Sequence, residues 1–477
     1  MGTAKSMLKN AVFLLVATVV ANVLNLISLI YLARVLGPTG FGEVNFAFAI
    51  IAYFMLLTDM GLPLVGIREI ARDKTQTKKL VSHIIVLRFI LTFISSCLLG
   101  VLLIFIRQPQ EVKYLLLIYG LGMVPSAFLV DWVFQGVERM EFICIARIMS
   151  GIVNLGLVLT FVKSSGQLLL IPSFQVASNL LMSLLLSVFF IKVFGTVNIK
   201  FDRKIKIWEI LKQAFPIGFS LLMAQIFYYI STVMIGFMRG NEEVGYYNAA
   251  YKVIFLFIVV IGVYHDAIFP TISFYSRNSL ERLKNLLSVT QRLMIILALP
   301  LATGCIVLAR PLMHILYGTK YDEGIGAFKI LIFAVVIIYI NTAYSRGLLA
   351  AKKEKWFAAG VTLPAFVSIL SNFILIPRLG LQGAAIANVF SEASGFVVMY
   401  VGFRKIMHVP FLSYISRPLF ASLIMFMFLH CGLNLYHWNF FLLTGAGIIL
   451  YCAVLYLIRG VTKEDFTLIK KIFFAPG

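Results

Sequence analysis

Fourteen apolar runs of roughly membrane length, parted by short connectors, decide what this chain can fold into. A helix needs about 20 apolar residues to cross the hydrocarbon of a bilayer. Runs of that kind lie at residues 11–35, 43–66, 81–106, 114–135, 144–162, 168–194, 214–238, 244–269, 286–309, 324–345, 357–376, 382–403, 418–435 and 439–458. Inside lipid every backbone N–H and C=O must be satisfied within the protein, so runs this long form helices. Composition agrees, at 61% hydrophobic and only 13% charged residues. A soluble domain carries about 25% charged residues and could not hide so much apolar surface. The expected fold is therefore an all-α polytopic membrane protein of about fourteen transmembrane helices.

The net charge of +21, from 41 Lys+Arg against 20 Asp+Glu, would suit a nucleic-acid binder if the basic residues were clustered on one domain. They sit instead between the apolar runs, where basic connectors mark the cytoplasmic side. One alternate set of connectors holds twenty-six basic residues, among them Arg68, Arg72, Lys78, Lys79, Lys200, Arg203, Lys284, Lys352, Lys353 and Lys470. The other set holds seven: Arg107, Lys113, Lys163, Arg239, Arg310, Lys320 and Arg378. This bias predicts an even number of spans, both termini in the cytoplasm and no nucleic-acid partner. The run at 11–35 is too long for a signal-peptide core, so the first helix is expected to be an uncleaved span. Cys97, Cys144, Cys305, Cys431 and Cys452 are dispersed, with no metal or disulfide spacing, and read as small apolar residues.

The chain repeats itself. With Leu8-Lys9-Asn10-Ala11 laid over Leu211-Lys212-Gln213-Ala214, and no gap introduced, Gly37 meets Gly240, Gly42 meets Gly245, Asn45 meets Asn248 and Ala47 meets Ala250. The repeat divides the chain into a first lobe at 1–195 (spans 1–6), a cytoplasmic linker at 196–213, a second lobe at 214–404 (spans 7–12), and a C-terminal part at 405–477 holding spans 13 and 14. An even-numbered repeat keeps its orientation, so the lobes are expected to be related by a pseudo-two-fold axis along the membrane normal. Transporters use this device, with the substrate path between lobes near the midplane.

The opening region reads Tyr31-Leu-Ala-Arg34-Val-Leu-Gly37-Pro-Thr-Gly40-Phe-Gly42, followed by Gly61 and Arg68-Glu69-Ile-Ala-Arg72-Asp73. Later come Arg310-Pro311-Leu-Met-His-Ile-Leu-Tyr-Gly318 and Pro377-Arg-Leu-Gly380-Leu-Gln-Gly383-Ala-Ala-Ile-Ala387. Taken in order, these segments resemble the polysaccharide (O-antigen) flippases of the multidrug/oligosaccharidyl-lipid/polysaccharide exporter superfamily, over essentially the whole chain. The resemblance implies two six-helix bundles around a cavity that opens alternately to either side of the inner membrane. It implies a cargo of undecaprenyl-pyrophosphate-linked oligosaccharide, with a proton or sodium ion as coupling ion and no cofactor. Glycosyltransferases and a polysaccharide polymerase would be its partners in the pathway.

Such a cargo dictates the chemistry of its path. Its lipid tail can stay in lipid, but a pyrophosphate cannot shed water without replacement partners. The path then needs cations for phosphate, with amides and aromatic faces for sugars. Eight basic residues lie within or at the ends of the apolar runs. Of these, Lys252 and Arg34 are the foremost phosphate candidates, joined by Arg88, Arg292 and Arg346; Arg147 and Arg417 read as snorkelling near helix ends, and Lys329 lies about one turn inside its span. Arg34 can alternatively cap its helix C-terminus, and Arg88 and Arg292 can serve as interhelical pairs. Asn22, Asn25, Gln225, Tyr228 and Tyr229 are the sugar candidates, Asn22 overlaying Gln225 and Asn25 overlaying Tyr228 in the repeat; interhelical hydrogen bonding is their alternative role. Asp59 and Glu392 are the ion-coupling candidates, ahead of Asp131 and Asp266, with a static salt bridge as the alternative for each. No catalytic constellation, phosphate loop or metal set is present in the sequence, which argues against an enzyme. The rival functions are an ion-coupled multidrug/cation antiporter of the same superfamily and a lipid II flippase. A drug antiporter would favour an acidic cavity and about twelve spans.

Overall fold

A computed structural model describes residues 2–196, 207–434 and 438–461. Among these residues the chain is helical nearly throughout, with no strand. The helices are α1 (Gly2–Asp59), α2 (Leu62–Arg72), α3 (Thr77–Phe105), α4 (Gln110–Leu121), α5 (Met123–Ala127), α6 (Asp131–Gly136), α7 (Met140–Phe161) and α8 (Leu170–Phe194). They continue as α9 (Ile207–Met238), α10 (Asn241–Asn278), α11 (Leu280–Val307), α12 (Ala309–Tyr317), α13 (Gly324–Ala350), α14 (Glu354–Arg404), α15 (Ser416–Asn434) and α16 (Phe440–Leu457). Lys200 and Arg203 of the expected linker, and Lys470 of the tail, lie outside the described residues.

Among the described residues eleven stretches are long and apolar enough to cross a membrane. Two of them, Val16–Arg72 and Glu354–Arg404, run for 57 and 51 residues, too long for one crossing. The long helices within them, α1 and α14, are each bent by a glycine, and Val16–Arg72 breaks again at Gly61 between α1 and α2. In α1, Gly37 takes φ 71°, a left-handed conformation that side chains resist, and Pro38 then starts the second half without an N–H to lose. In α14, Gly380 takes φ 56° and ψ −136°, three residues after Pro377. These breaks turn each long helix into two membrane-length segments. With the 38-residue α10 added, the described helices cover all fourteen apolar runs. The run at 114–135 is one candidate span but not one helix. It is divided into α4, α5 and α6: Pro125, in the first turn of α5, offers no N–H to the Leu121 carbonyl and so parts α5 from α4, and a further break at residues 128–130 precedes α6.

The chain forms two compact units, Met1–Gly236 with Gly240–Gly245, and Phe237–Arg239 with Tyr246–Gly477. The first unit holds α1 to α8 and nearly all of α9. Its core gathers Leu62, Val65, Ile84, Trp132, Phe134, Leu186 and Phe190. Lipid tails are as apolar as leucine, so helix association in a membrane depends on close packing and small residues rather than on escape from water. The start of α10 shows this best. A Cβ on Gly42 would stand 1.7 Å from the Asn241 carbonyl oxygen, and one on Gly245 would stand 2.0 Å from the Pro38 carbonyl oxygen. Pro38 and Asn241 are separated by the same number of residues as Gly42 and Gly245, so the two contacts are mirror copies of one another in the repeat. Gly37 and its repeat mate Gly240 share the left-handed backbone, at φ 71° and 98°.

The second unit holds α10 from Tyr246 onward and α11 to α16. One core cluster gathers Ile272, Leu287, Tyr344, Met399 and Phe403. A second ties the last two helices to α11 through Ile296, Met425, Leu429, Leu443 and Tyr451. There the buried Tyr451 hydroxyl donates to the Ile296 carbonyl oxygen at 2.8 Å.

Candidate functional site

In the first unit the ionisable candidates meet. Arg88 on α3 is only 2% exposed, and an isolated guanidinium at that depth would be prohibitively costly. Its Nη1 donates to the Leu129 carbonyl oxygen at 2.7 Å. Its Nη2 forms an ion pair with the Asp59 carboxylate at the end of α1. Asp131, at the first position of α6, accepts from the Trp132 N–H at 2.9 Å and lies within electrostatic reach of Arg88, Asp59 and Arg147. Of the roles open to Arg88 and Asp59, the structure shows the interhelical salt bridge.

The sugar candidates of this unit lie on α1 and α9. Asn22 and Gln225 are half-buried, Asn25 is exposed, and none of the three has a hydrogen-bond partner among the described residues. Tyr229 packs edge-on against Phe48 and Tyr53 at centroid distances of 6.0 and 6.5 Å, and Phe48 packs against Tyr119 at 5.8 Å. The Tyr53 hydroxyl is buried without a partner among the described residues. Tyr228 is 40% exposed and packs against Phe227. Tyr53, Phe48 and Tyr119 had no distinguishing signal in the sequence, since an aromatic residue in an apolar run looks the same whether it faces core, lipid or cargo. Arg34 is exposed, one turn before the break at Gly37.

In the second unit Lys252 is half-buried on α10, and no described residue gives it a hydrogen bond or ion pair. Glu392, half-buried on α14, is likewise without such a partner among the described residues. Arg346 on α13 donates from Nη2 to His265 Nδ1 at 3.0 Å, which places the imidazole proton on Nε2. That Nε2 is buried without a partner among the described residues. The Arg346 guanidinium also stands 5.8 Å from the Phe269 ring, and Arg292 on α11 stands 5.8 Å from the Tyr414 ring. The side chain of Asp266 lies outside the described residues. Arg417 is exposed near a helix end, as a snorkelling residue would be, and Lys329 is exposed near the start of α13. Among the described residues no group of three His, Cys, Asp or Glu side chains is placed to hold a metal.

A bundle of membrane-spanning helices bent by glycines, with polar and ionisable side chains set into its spans, defines a multi-pass membrane transporter. The chain belongs to the family described as polysaccharide biosynthesis protein, whose model matches residues 7–276. It is 23% identical over 416 residues to a putative O-antigen transporter of Escherichia coli (strain K12), covering 84% of this chain and 98% of that one. Its fold resembles the inward closed conformation of the lipid II flippase MurJ, with a TM-score of 0.74, 16% identity, and coverage of 94% of this chain and 98% of that one. It also resembles an inward-facing multidrug resistance MATE family transporter of the MOP superfamily, with a TM-score of 0.63, 16% identity, and coverage of 84% and 100%.

Proposed function

We propose that this protein is a flippase that carries undecaprenyl-pyrophosphate-linked oligosaccharide from the cytoplasmic to the outer leaflet of the bacterial inner membrane by alternating access through a cationic cavity. Family membership and relatives named as O-antigen transporters support the cargo class. The observation that carries the reading is Lys252, a half-buried cation in a spanning helix with no hydrogen-bond or ion-pair partner among the described residues. A charge held at such a place at such a cost needs a counter-charge, and a pyrophosphate supplies one. Arg34, Arg292 and Arg346 add positive charge along the path. Arg88 contributes through its field, its guanidinium being held by Asp59. Asn22, Asn25, Gln225, Tyr228 and Tyr229 offer amides and ring faces to sugars. Glu392 is the group that takes up the coupling proton or sodium ion, with Asp59 constrained by its ion pair. The polymerase and glycosyltransferases of the pathway act before and after this step, and no cofactor takes part.

Reconstitution tests this directly. Proteoliposomes are loaded with a fluorescent undecaprenyl-pyrophosphate saccharide, and its passage between leaflets is timed. Lys252→Ala should slow passage about tenfold or more, as loss of one charge-assisted contact worth ~1.5–3 kcal/mol would. Lys252→Arg should retain most of the rate. Equal rates in wild type and Lys252→Ala would overturn the phosphate assignment. Wild-type protein that moves a cationic drug and not the saccharide would overturn the cargo.

A further inference from the structure

Two segments stand out in the sequence and have no role in the reading above, Arg310–Gly318 and the run from Pro377 to Ala387. In the second unit they converge on one spot. α12 carries Arg310 and His314, and the turn at Thr319–Tyr321 brings the chain back so that Asp322 faces both. The Asp322 carboxylate accepts from His314 Nε2 and stands 3.3 Å from Arg310 Nη2. The break at Gly380 redirects α14 and lays the Gln382 amide against the start of α13. Its Nε2 stands 2.9 Å from where a Cβ on Gly326 would be, so the amide packs directly against that glycine. Between these parts lies a cavity of about 390 Å³, lined by Arg310, Asp322, Glu323, Gly326, Lys329 and Gln382. Both connectors belong to the face that the basic-residue bias assigns to the outside.

We propose that this cavity is an outer-face saccharide subsite, which holds the leading sugars of the oligosaccharide as it emerges. Two cations, Arg310 and Lys329, are set against two carboxylates, Asp322 and Glu323, so the lining has no net charge with which to select an ion. What it has instead is a dense set of donors and acceptors: a guanidinium, an ammonium, two carboxylates and an amide. Each sugar hydroxyl both donates and accepts, and neighbouring hydroxyls present paired groups that planar side chains can match two at a time. His314, through its hydrogen bond, and Arg310 hold the Asp322 carboxyl below the usual carboxylate range, so it stays an acceptor when the outside is acidic. The volume lies at the small end of ligand pockets, which run to about 300–1,000 Å³, and suits the end of an oligosaccharide rather than its length. This subsite rests on the flippase reading, which supplies the saccharide.

The test uses the full chain in nanodiscs and, as probe, the oligosaccharide freed by mild acid from the lipid-linked precursor of cells lacking the protein. That probe carries no pyrophosphate. Binding to wild type is expected by saturation-transfer NMR and thermophoresis. Lys329→Ala with Gln382→Ala should weaken it about tenfold or more, the loss of one to two hydrogen bonds. Lys320→Ala, an exposed lysine on the same turn but outside the lining, should leave binding unchanged. Wild-type affinity in the double variant, no binding to wild type, or displacement by inorganic phosphate would each overturn the subsite. If no precursor accumulates in the deletion cells, the flippase reading fails, and the subsite falls with it for a different and recognisable reason.

Discussion

Arg88 and Asp59 are the sharpest case of how one side chain fixes the meaning of another. Each alone is an ionisable group inside a membrane helix, and each alone invites a functional role. Joined, they satisfy one another and hold α3 against the end of α1. Removing one partner from such a pair costs about 3–5 kcal/mol because it strands the other charge, whereas replacing both with apolar groups of like size is often tolerated. Arg88→Leu should therefore lower the melting temperature of the purified protein sharply. Adding Asp59→Asn should restore much of the lost stability. A double variant as unstable as Arg88→Leu would show that Arg88 is held by something other than this carboxylate. The sequence marked both residues as ionisable groups within apolar runs but could not join them, since hydropathy reports position along a helix and not the azimuth at which a side chain leaves it, and α1 ends at Asp59 rather than running on to residue 66. Glu392 is the opposite case, a carboxylate with no ion-pair partner among the described residues. With Glu392→Gln, passage should no longer respond to an imposed proton or sodium gradient while binding of the lipid-linked saccharide persists, as paired flux and binding measurements would reveal. A gradient response equal to wild type would remove Glu392 from the coupling step.

At the scale of elements, small residues set the geometry. Gly42 and Gly245 let two helix starts approach until backbone meets backbone, and the contact is made twice because the sequence is repeated. Overpacking in a flexible core costs about 1–3 kcal/mol. Here the obstructing atoms are carbonyl oxygens that cannot swing aside, so the cost should reach or pass the upper end of that range. Gly245→Leu should abolish most of the monodisperse peak in size-exclusion chromatography. Gly156→Leu should not, because Gly156 faces open space on α7. An intact peak for Gly245→Leu would mean that the two helix starts are further apart than described. The repeat offset read from the sequence paired these glycines correctly, and both bends in the long helices fall at glycines that stand in the quoted segments. The close approach itself was not legible, because periodicity tells which residues are equivalent and says nothing of how near two helices lie. The split of the 114–135 run into three helices was also hidden, although Pro125 was in plain view. A proline inside an apolar run marks a kink or a full break equally well.

For the whole molecule, the direction of transport follows from orientation, and orientation follows from where the basic residues fall. Moving Lys or Arg into a translocated loop is resisted, so a bias of twenty-six against seven over fourteen spans leaves little freedom. The same bias assigns the cavity at Arg310 and Gln382 to the side on which a flipped saccharide would emerge, so orientation and exit subsite stand or fall together. Single cysteines test both at once. The five native cysteines lie in helices and can first be replaced by serine or alanine. Lys320→Cys should then react with a membrane-impermeant maleimide in intact cells whose outer barrier is opened. Lys284→Cys and Lys353→Cys should react only after lysis. The reverse pattern would turn the molecule over, place the saccharide cavity on the loading side, and convert its role from receiving the emerging sugars to capturing them before passage.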